Sequence, residues 1–192
     1  WTNPENVTRL KAMGAVLVEF KQAQQEIEDI NGTIDNTPAT KNLVKAAAPL
    51  ATVMVSEITN IINMEGKQAA TRERKNLLGM MADVRGTTAR SLASIRAFLL
   101  TGNKKFEDAF NVMWTKNIKR FGDLTKNSGL LTSKQKASFK KFSEARAAFK
   151  GLPPKMFEIR GGKEWNMANL WLGTKAAPRA GKIVSTLKGM VT

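Results

Sequence analysis

The chain has 192 residues, enough for one large domain or two small ones, and 31 basic residues stand against 16 acidic ones for a net charge of +15. It contains no cysteine and no histidine, which excludes disulfides, thiolate nucleophiles and the usual zinc sites. The charge is concentrated in residues 97–192, with 19 basic and 6 acidic residues, and such a field favours anionic partners.

Almost every segment has the three-and-four spacing of apolar residues that is typical of long packed helices, and no strand pattern competes. The first helix begins at the capping sequence Asn3-Pro4-Glu5, and the next opens at Thr37-Pro38. The spacing leaves open whether residues 61–85 form one helix or two. Turn signals occur at Asn31-Gly32, Thr101-Gly102, Ser128-Gly129 and Gly161-Gly162. The predicted fold is all-α, with long antiparallel helices packed as bundles.

The chain contains an internal repeat. Residues 10–62 align without a gap on residues 139–191 at an offset of 129, with 13 identities in 53 positions. Two of the matched residues are Pro49 and Pro178, each inside a predicted helix, where a proline costs about 3 kcal/mol. We interpret the repeat as a duplication and the prolines as matching bends in two helical bundles; the alternative is a functional hinge.

The block of residues 66–129 precedes only the second copy, so we expect the first copy to lack an upstream helical hairpin. The predicted domains are residues 1–65, the second half of a truncated first module, and residues 66–192, a complete four-helix-bundle module. With its hairpin missing, the first half is expected to expose apolar residues such as Leu10, Leu17 and Ile27, or to bury them by association.

The remaining chemistry does not point to an enzyme. The acidic residues are scattered, and Arg160-Gly161-Gly162 lacks the strand and the ending of a phosphate loop. Nucleic-acid binding is a rival because of the charge, but the phenylalanines lie on apolar stripes and the lysines are dispersed. We therefore predict no catalytic residue, no metal site and no cofactor, and we do not expect nucleic acid as a partner.

Two stretches carry a family resemblance. "RSLASIRAFLLTGNKKFEDAF" from Arg90 resembles the end of the first helix and the following turn in the sensory modules of bacterial methyl-accepting chemotaxis receptors. "FEIRGGKEWNMANLWLGTKAAPRAGKIVSTLKGMV" from Phe157 resembles the turn and the fourth helix of those four-helix bundles. Residues 76–192 match one module and residues 1–65 half of another, and tandem modules are the mark of the helical bimodular class of sensor domain.

This resemblance implies a sensor domain in the periplasm, belonging to an inner-membrane chemoreceptor. Such a domain is membrane-anchored in the full-length protein, forms a homodimer, binds a small anionic ligand such as an organic acid, and transmits a helix displacement across the membrane.

The family also implies where the ligand binds. In four-helix receptors, ligand-binding arginines lie on the helix that contains Arg90 here, and a polar residue joins them from the start of the fourth helix. Carried over to this sequence, the predicted ligand-binding residues are Arg85, Thr88, Arg90, Arg96, Asn166, Asn169 and Trp171. Arginine suits carboxylates because its planar fork donates two parallel hydrogen bonds. The alternative is that the arginines pair with surface acids such as Asp83, while Thr88 and Ser91 bond their own backbone.

Two other functions stay open at this point. One is a basic helical protein that binds nucleic acid or an anionic lipid surface. The other is a structural helical spacer without a ligand. Salt-dependent binding to random DNA would favour the former, and the absence of any thermal shift with small anions would favour the latter.

Overall fold

The computed structural model describes residues 3–191, and within them every regular element is helical, with no strand. This confirms the all-α prediction. The α-helices of the described chain are α1 (Pro4–Asn31), α2 (Pro38–Asn42), α3 (Ala48–Glu65), α4 (Arg72–Thr101), α5 (Lys104–Lys126), α6 (Ser133–Phe149), α7 (Leu152–Gly161), α8 (Met167–Trp171) and α9 (Ala177–Val191).

The chain divides into two compact units. The first, called here the hairpin unit, comprises the residues up to Pro38 and those from Gly162 onward; the second, the bundle unit, comprises Ala39–Gly161. This division differs from the predicted boundary between residues 65 and 66. The reason is that α3, which precedes that boundary, packs along α4 and α6, which follow it, and its Met54, Ile58 and Ile61 are fully buried in their common core.

The bundle unit packs α3, α4, α5 and α6 around one apolar core. Its largest fully buried side chains include Phe142, Phe149, Met81 and Ile95. α7 joins the same core through Phe157, whose ring lies edge-on to those of Phe98 and Phe110 at 5.1 Å in each case. The spaced apolar stripes of the sequence thus become one continuous interior.

Local chemistry sets several helix limits where the sequence predicts them. The side chain of Asn3 accepts a hydrogen bond from the Glu5 amide at 2.9 Å and caps α1. Thr132 and Gln135 form a reciprocal capping box at the start of α6. Gly102 ends α4 with a left-handed φ of +66°, a conformation that favours glycine because it has no Cβ.

Residues 61–85 belong to two helices, because α3 ends at Glu65 and α4 begins at Arg72. The turn between them is held by the buried carboxylate of Glu65. It pairs with Arg74 and accepts a hydrogen bond from Gln135 Nε2 at 2.7 Å. The ends of α3 and α4 are therefore tied to the start of α6.

The internal repeat recurs in the secondary structure at the same offset. The 3-10 turn Ile34–Asn36 has its counterpart in Lys163–Trp165, and the π-helical turn Leu43–Ala47 has its counterpart in Leu172–Ala176. The copies differ at the end of α6, where the second copy breaks before Pro153 while α1 continues through the equivalent positions. The repeat therefore extends from the sequence to the secondary structure.

The two π-helical turns explain how the chain accommodates Pro49 and Pro178. In each copy the amide just before the proline, that of Ala48 or Ala177, donates to a carbonyl five residues earlier. The proline then occupies the second position of the following α-helix, directly after this wide turn. At both prolines, the helix therefore contains a π-helical turn at the equivalent position.

The two copies exchange partners. α6 is the repeat equivalent of the first part of α1, and α9 is the equivalent of α3. Within the bundle unit α3 packs antiparallel to α6, and within the hairpin unit α1 packs antiparallel to α9. The first helix of each copy thus pairs with the second helix of the other.

The hairpin unit buries few apolar side chains. Val16 and Ala23 are the buried residues of α1, and α9 has none among its described residues. Leu10 and Leu17 are 46% and 41% exposed, as the sequence predicts, whereas Ile27 is partly buried. The pairing of α1 with α9 leaves apolar surface uncovered.

Candidate ligand-binding groove

An open groove of about 540 Å³ runs between α3 and α4 in the bundle unit. Small-molecule sites in proteins commonly have volumes of roughly 300–1,000 Å³. α3 contributes hydroxyl, amide and small apolar groups, and α4 contributes two apolar side chains and one arginine. The lining residues of the groove are Ala48, Ala51, Thr52, Val55, Ser56, Thr59, Asn60, Ala89, Leu92 and Arg96.

Arg96 brings the positive charge to this groove from α4. It is exposed, and none of the ion pairs within residues 3–191 involves its guanidinium. An arginine without a protein acceptor keeps its donors available to a carboxylate or phosphate. Arg96 is therefore the one predicted ligand-binding residue that lines this groove.

α3 supplies the polar wall because Thr52, Ser56 and Thr59 recur at helical spacing along one face. The hydroxyls of Thr52 and Thr59 donate to the carbonyls of Ala48 and Val55 at 3.0 and 2.7 Å, so they face the groove as acceptors. Ser56 forms no side-chain hydrogen bond within residues 3–191, so its hydroxyl can donate to an anion.

The other two predicted arginines lie on α4 but outside the groove lining. Arg85 and Arg90 are both exposed. The alternative was that such arginines pair with surface acids such as Asp83. Among the described residues, the ion pair of Asp83 is instead with Arg120, at 3.1 Å. Arg90 lies about 120° around the helix from Arg96, since each residue turns an α-helix by about 100°.

Thr88 lies in the core. Its hydroxyl donates to the Val84 carbonyl at 2.8 Å, as the alternative reading of this residue predicts, and it accepts from Asn117 Nδ2 at 3.0 Å. Ser91 is also fully buried, with its hydroxyl unpaired. Thr88 thus contributes to the internal structure of the bundle unit.

Sequence reasoning missed the polar cluster that surrounds Thr88. Asn117 is fully buried and accepts from Arg146 Nε at 3.0 Å, and the guanidinium of Arg146 lies over the rings of Phe121 and Trp114 at 4.4 and 4.9 Å. Burial lowers the pKa of Arg146, which stays charged at neutral pH. The sequence did carry a signal, because Asn117 and Arg146 each interrupt an otherwise apolar helical stripe.

The three remaining predicted residues belong to the hairpin unit. Asn166 caps α8 by accepting from the Asn169 amide at 2.8 Å, and Asn169 itself is exposed. Trp171 is partly exposed, and the ammonium of Lys175 lies 3.7 Å from its ring centroid. In this unit the side chain of Asn166 caps α8, and Trp171 forms a cation–π contact.

A second, smaller groove in the bundle unit also carries positive charge. It measures about 430 Å³, lies between α3 and α6, and includes Lys67 and Lys134. Both are flexible ammonium groups, which bind anions with less geometric definition than a guanidinium. The groove with Arg96 is therefore the better-defined candidate.

No three histidine, cysteine, aspartate or glutamate side chains within residues 3–191 lie close enough to hold a metal ion. No helix in that range combines the length and hydrophobicity that crossing a membrane requires.

No protein-family model, curated protein or solved structure matches the chain. The function is therefore inferred from the geometry and chemistry of the groove between α3 and α4.

Proposed function

We propose that the chain is the ligand-binding domain of a receptor and that it takes a small carboxylate in the groove between α3 and α4. The single observation that carries the proposal is the unpaired guanidinium of Arg96 at a groove walled by hydroxyl groups. The resemblance to chemotaxis receptors supports the same class, with the domain in the periplasm and anchored to the inner membrane.

The groove chemistry fits a molecule with one anionic end and an apolar body. Arg96 offers two parallel donors to a carboxylate, and Ser56 offers a hydroxyl from the opposite helix. Ala51, Val55 and Leu92 supply the apolar surface against which the rest of the ligand packs. The net charge of +15 adds long-range attraction for any anion.

A ligand in this position contacts α3 and α4 at once, and the bond from Arg96 joins one helix to the other. α3 begins directly after the π-helical turn Leu43–Ala47, an irregularity that is frequent at functional sites. We expect a shift of α3 against α4 of about 1–2 Å, which is typical for helix displacements in switching proteins. The coupling between binding and output is then about 1–3 kcal/mol.

Thermal unfolding with a panel of small mono- and dicarboxylates tests the proposal. A ligand at 100 times its dissociation constant stabilises the folded form by about 2.7 kcal/mol. Arg96→Ala is expected to abolish this stabilisation, whereas the matched variant Arg90→Ala, on another face of the same helix, retains it.

The net charge favours one other function, a basic surface that binds nucleic acid or anionic lipid. In that case Arg90→Ala, Lys134→Ala and Arg96→Ala weaken binding by similar amounts, and salt weakens it steeply. Equal loss in these variants, or no thermal shift with any acid of the panel, contradicts a defined carboxylate site.

A further inference from the structure

The groove between α3 and α6 is lined by polar side chains that have no partner among residues 3–191. Its polar lining consists of two ammonium groups, two carboxamides and one hydroxyl, and no acidic side chain of the described chain lines it. The residues that carry these groups are Asn60, Asn63, Lys67, Lys134 and Ser138. None of the five side chains forms a hydrogen bond or an ion pair within the described range. The groove of about 430 Å³ therefore presents positive charge and an excess of free donors.

Helical spacing brings these groups to one seam. On α3, Asn60 and Asn63 lie three residues apart, and Lys67 follows four residues later in the turn after the helix. On α6, Lys134 lies in the first turn and Ser138 one turn further. The two helices pack antiparallel, so the end of α3 lies beside the start of α6, as the hydrogen bond between these ends shows. The start of a helix is its positive end, which also favours an anion.

The acidic residues of the two helices are engaged elsewhere. α3 and α6 together contain three acidic residues, and each is paired with a cation outside the groove lining. These pairs are Glu57–Lys141, Glu65–Arg74 and Glu144–Lys140. The two ammonium groups of the groove thus have no carboxylate on either helix to neutralise them.

The other copy of the repeat has an anion built in at the same positions. α1 and α6 begin 129 residues apart, which is the offset of the repeat. Glu5 of α1 is therefore equivalent to Lys134, and Arg9 is equivalent to Ser138. In the hairpin unit Arg9 pairs with Glu5 at 3.4 Å and donates to the Gly189 carbonyl. In the bundle unit a lysine stands in place of that acid, so the anion is left to a ligand.

We propose that the groove between α3 and α6 binds the dianionic phosphoryl group of a phosphomonoester or of inorganic phosphate. Such a group carries a charge of about −1.5 to −2 at neutral pH, which matches the two ammonium groups of Lys67 and Lys134. Its three terminal oxygens can accept from these ammonium groups, from the Ser138 hydroxyl and from the Asn63 amide. A carboxylate has half this charge and fewer oxygens. The site shares only Asn60 with the groove of the proposed function, so each proposal can fail without the other.

Calorimetric titration of the whole chain with glycerol phosphate, at constant ionic strength, tests this site. Lys67→Ala and Lys134→Ala are each expected to weaken the affinity about tenfold, because each removes a charged donor. Lys136→Ala is the matched control, since it removes the same charge from the same helix. Lys136 is exposed, has no described partner and lies about 200° around α6 from Lys134, outside the groove lining. We expect this control to change the affinity by less than about twofold.

The charge of the probe supplies a second measurement. A phosphomonoester gains its second proton at a pH of about 6, so its affinity should fall as the pH is lowered through that value. Sulfate has the same shape and stays dianionic, and its affinity should change little. The chain contains no histidine, the side chain that changes charge between pH 5 and 8, so the difference between the two probes reports the charge of the ligand.

Vesicles of phosphatidylcholine with and without phosphatidic acid distinguish the source of the phosphoryl group. Binding of the soluble probe supports a free phosphomonoester, and binding to phosphatidic acid vesicles alone supports a lipid headgroup. Binding of neither overturns the proposal, and so does an equal loss of affinity in Lys134→Ala and Lys136→Ala. Arg96→Ala is expected to keep the phosphate affinity, and its loss there would place the phosphate in the other groove and overturn the proposal as well.

Discussion

Glu65 and Arg74 meet through both oxygens of the carboxylate across the turn between α3 and α4. Nη2 donates to Oε2 at 3.0 Å, and Nε lies 3.0 Å from Oε1 in a charge contact. Nη1 of Arg74 donates further to the Leu130 carbonyl at 3.1 Å, and Gln135 donates to the same carboxylate. One ion pair thus fixes the end of the bundle where three helices and a loop converge.

Removing the carboxylate is expected to cost much more than removing an exposed one. Because the Glu65 side chain is 2% exposed, Glu65→Ala removes the only carboxylate that faces Arg74 and Gln135 among the described ion pairs and should cost about 3 kcal/mol of unfolding free energy. Glu107→Ala, which breaks an exposed pair with Lys104, should cost less than about 1 kcal/mol. Urea unfolding of both variants measures the difference, and equal losses contradict it.

The buried cluster around Asn117 predicts a non-additive pair of substitutions. Asn117→Ala removes the acceptor of Arg146 Nε and should cost about 2 kcal/mol. Replacing both residues, as Asn117→Leu with Arg146→Met, leaves no unpaired polar group and should recover most of that loss. A double-mutant cycle by chemical unfolding measures the coupling, and strictly additive losses refute it.

Substituting alanine for Gly102, at the C-terminal cap of α4, and for Gly79, inside α4, should have opposite effects on stability. Its φ is +66°, and a Cβ there would lie 2.9 Å from the Arg160 guanidinium, so Gly102→Ala should destabilise by about 1–2 kcal/mol. Gly79 lies inside the helix with open space around it, and Gly79→Ala should stabilise by about 0.5–1 kcal/mol. Melting temperatures of the two variants should move in opposite directions.

The Glu26–Lys175 pair predicts an acid sensitivity in the hairpin unit. The hydrogen bond and the charge of Lys175 hold the pKa of Glu26 below its ordinary value of 4.5. Because the folded pKa is the lower one, the pair stabilises the fold at neutral pH, and the contribution is lost as pH falls below about 4.5 and through the folded value.

Comparing pH profiles of unfolding isolates this effect. The stability difference between the wild-type chain and Glu26→Gln should be largest near neutral pH and should shrink in acid. Glu28→Gln, on the exposed surface of the same helix, serves as the control and should show no such convergence. A constant difference across the acid range would mean that the pair contributes no charge-dependent stability.

The sequence by itself determined the elements whose cause is local. Asn3 and Gly102 set helix limits through cap chemistry that acts within a few residues, so a pattern of neighbours is enough to predict them. The duplicated segments likewise form equivalent turns, because they carry the same local preferences. Arg96 was predicted through the family resemblance, and the structure places it in a groove with the hydroxyls of α3.

Only the tertiary structure decided which helices share a core. The apolar stripe of α3 fits a partner helix that lies earlier or later in the sequence. That α3 packs on α6 rather than on α1 depends on contacts between residues more than 70 positions apart, such as Gln135 and Ile61. The same holds for Thr88, whose place beside Asn117 and Arg146 depends on three helices meeting. Apolar stripes give the facing side of a helix but not its partner, because the hydrophobic effect has no direction of its own.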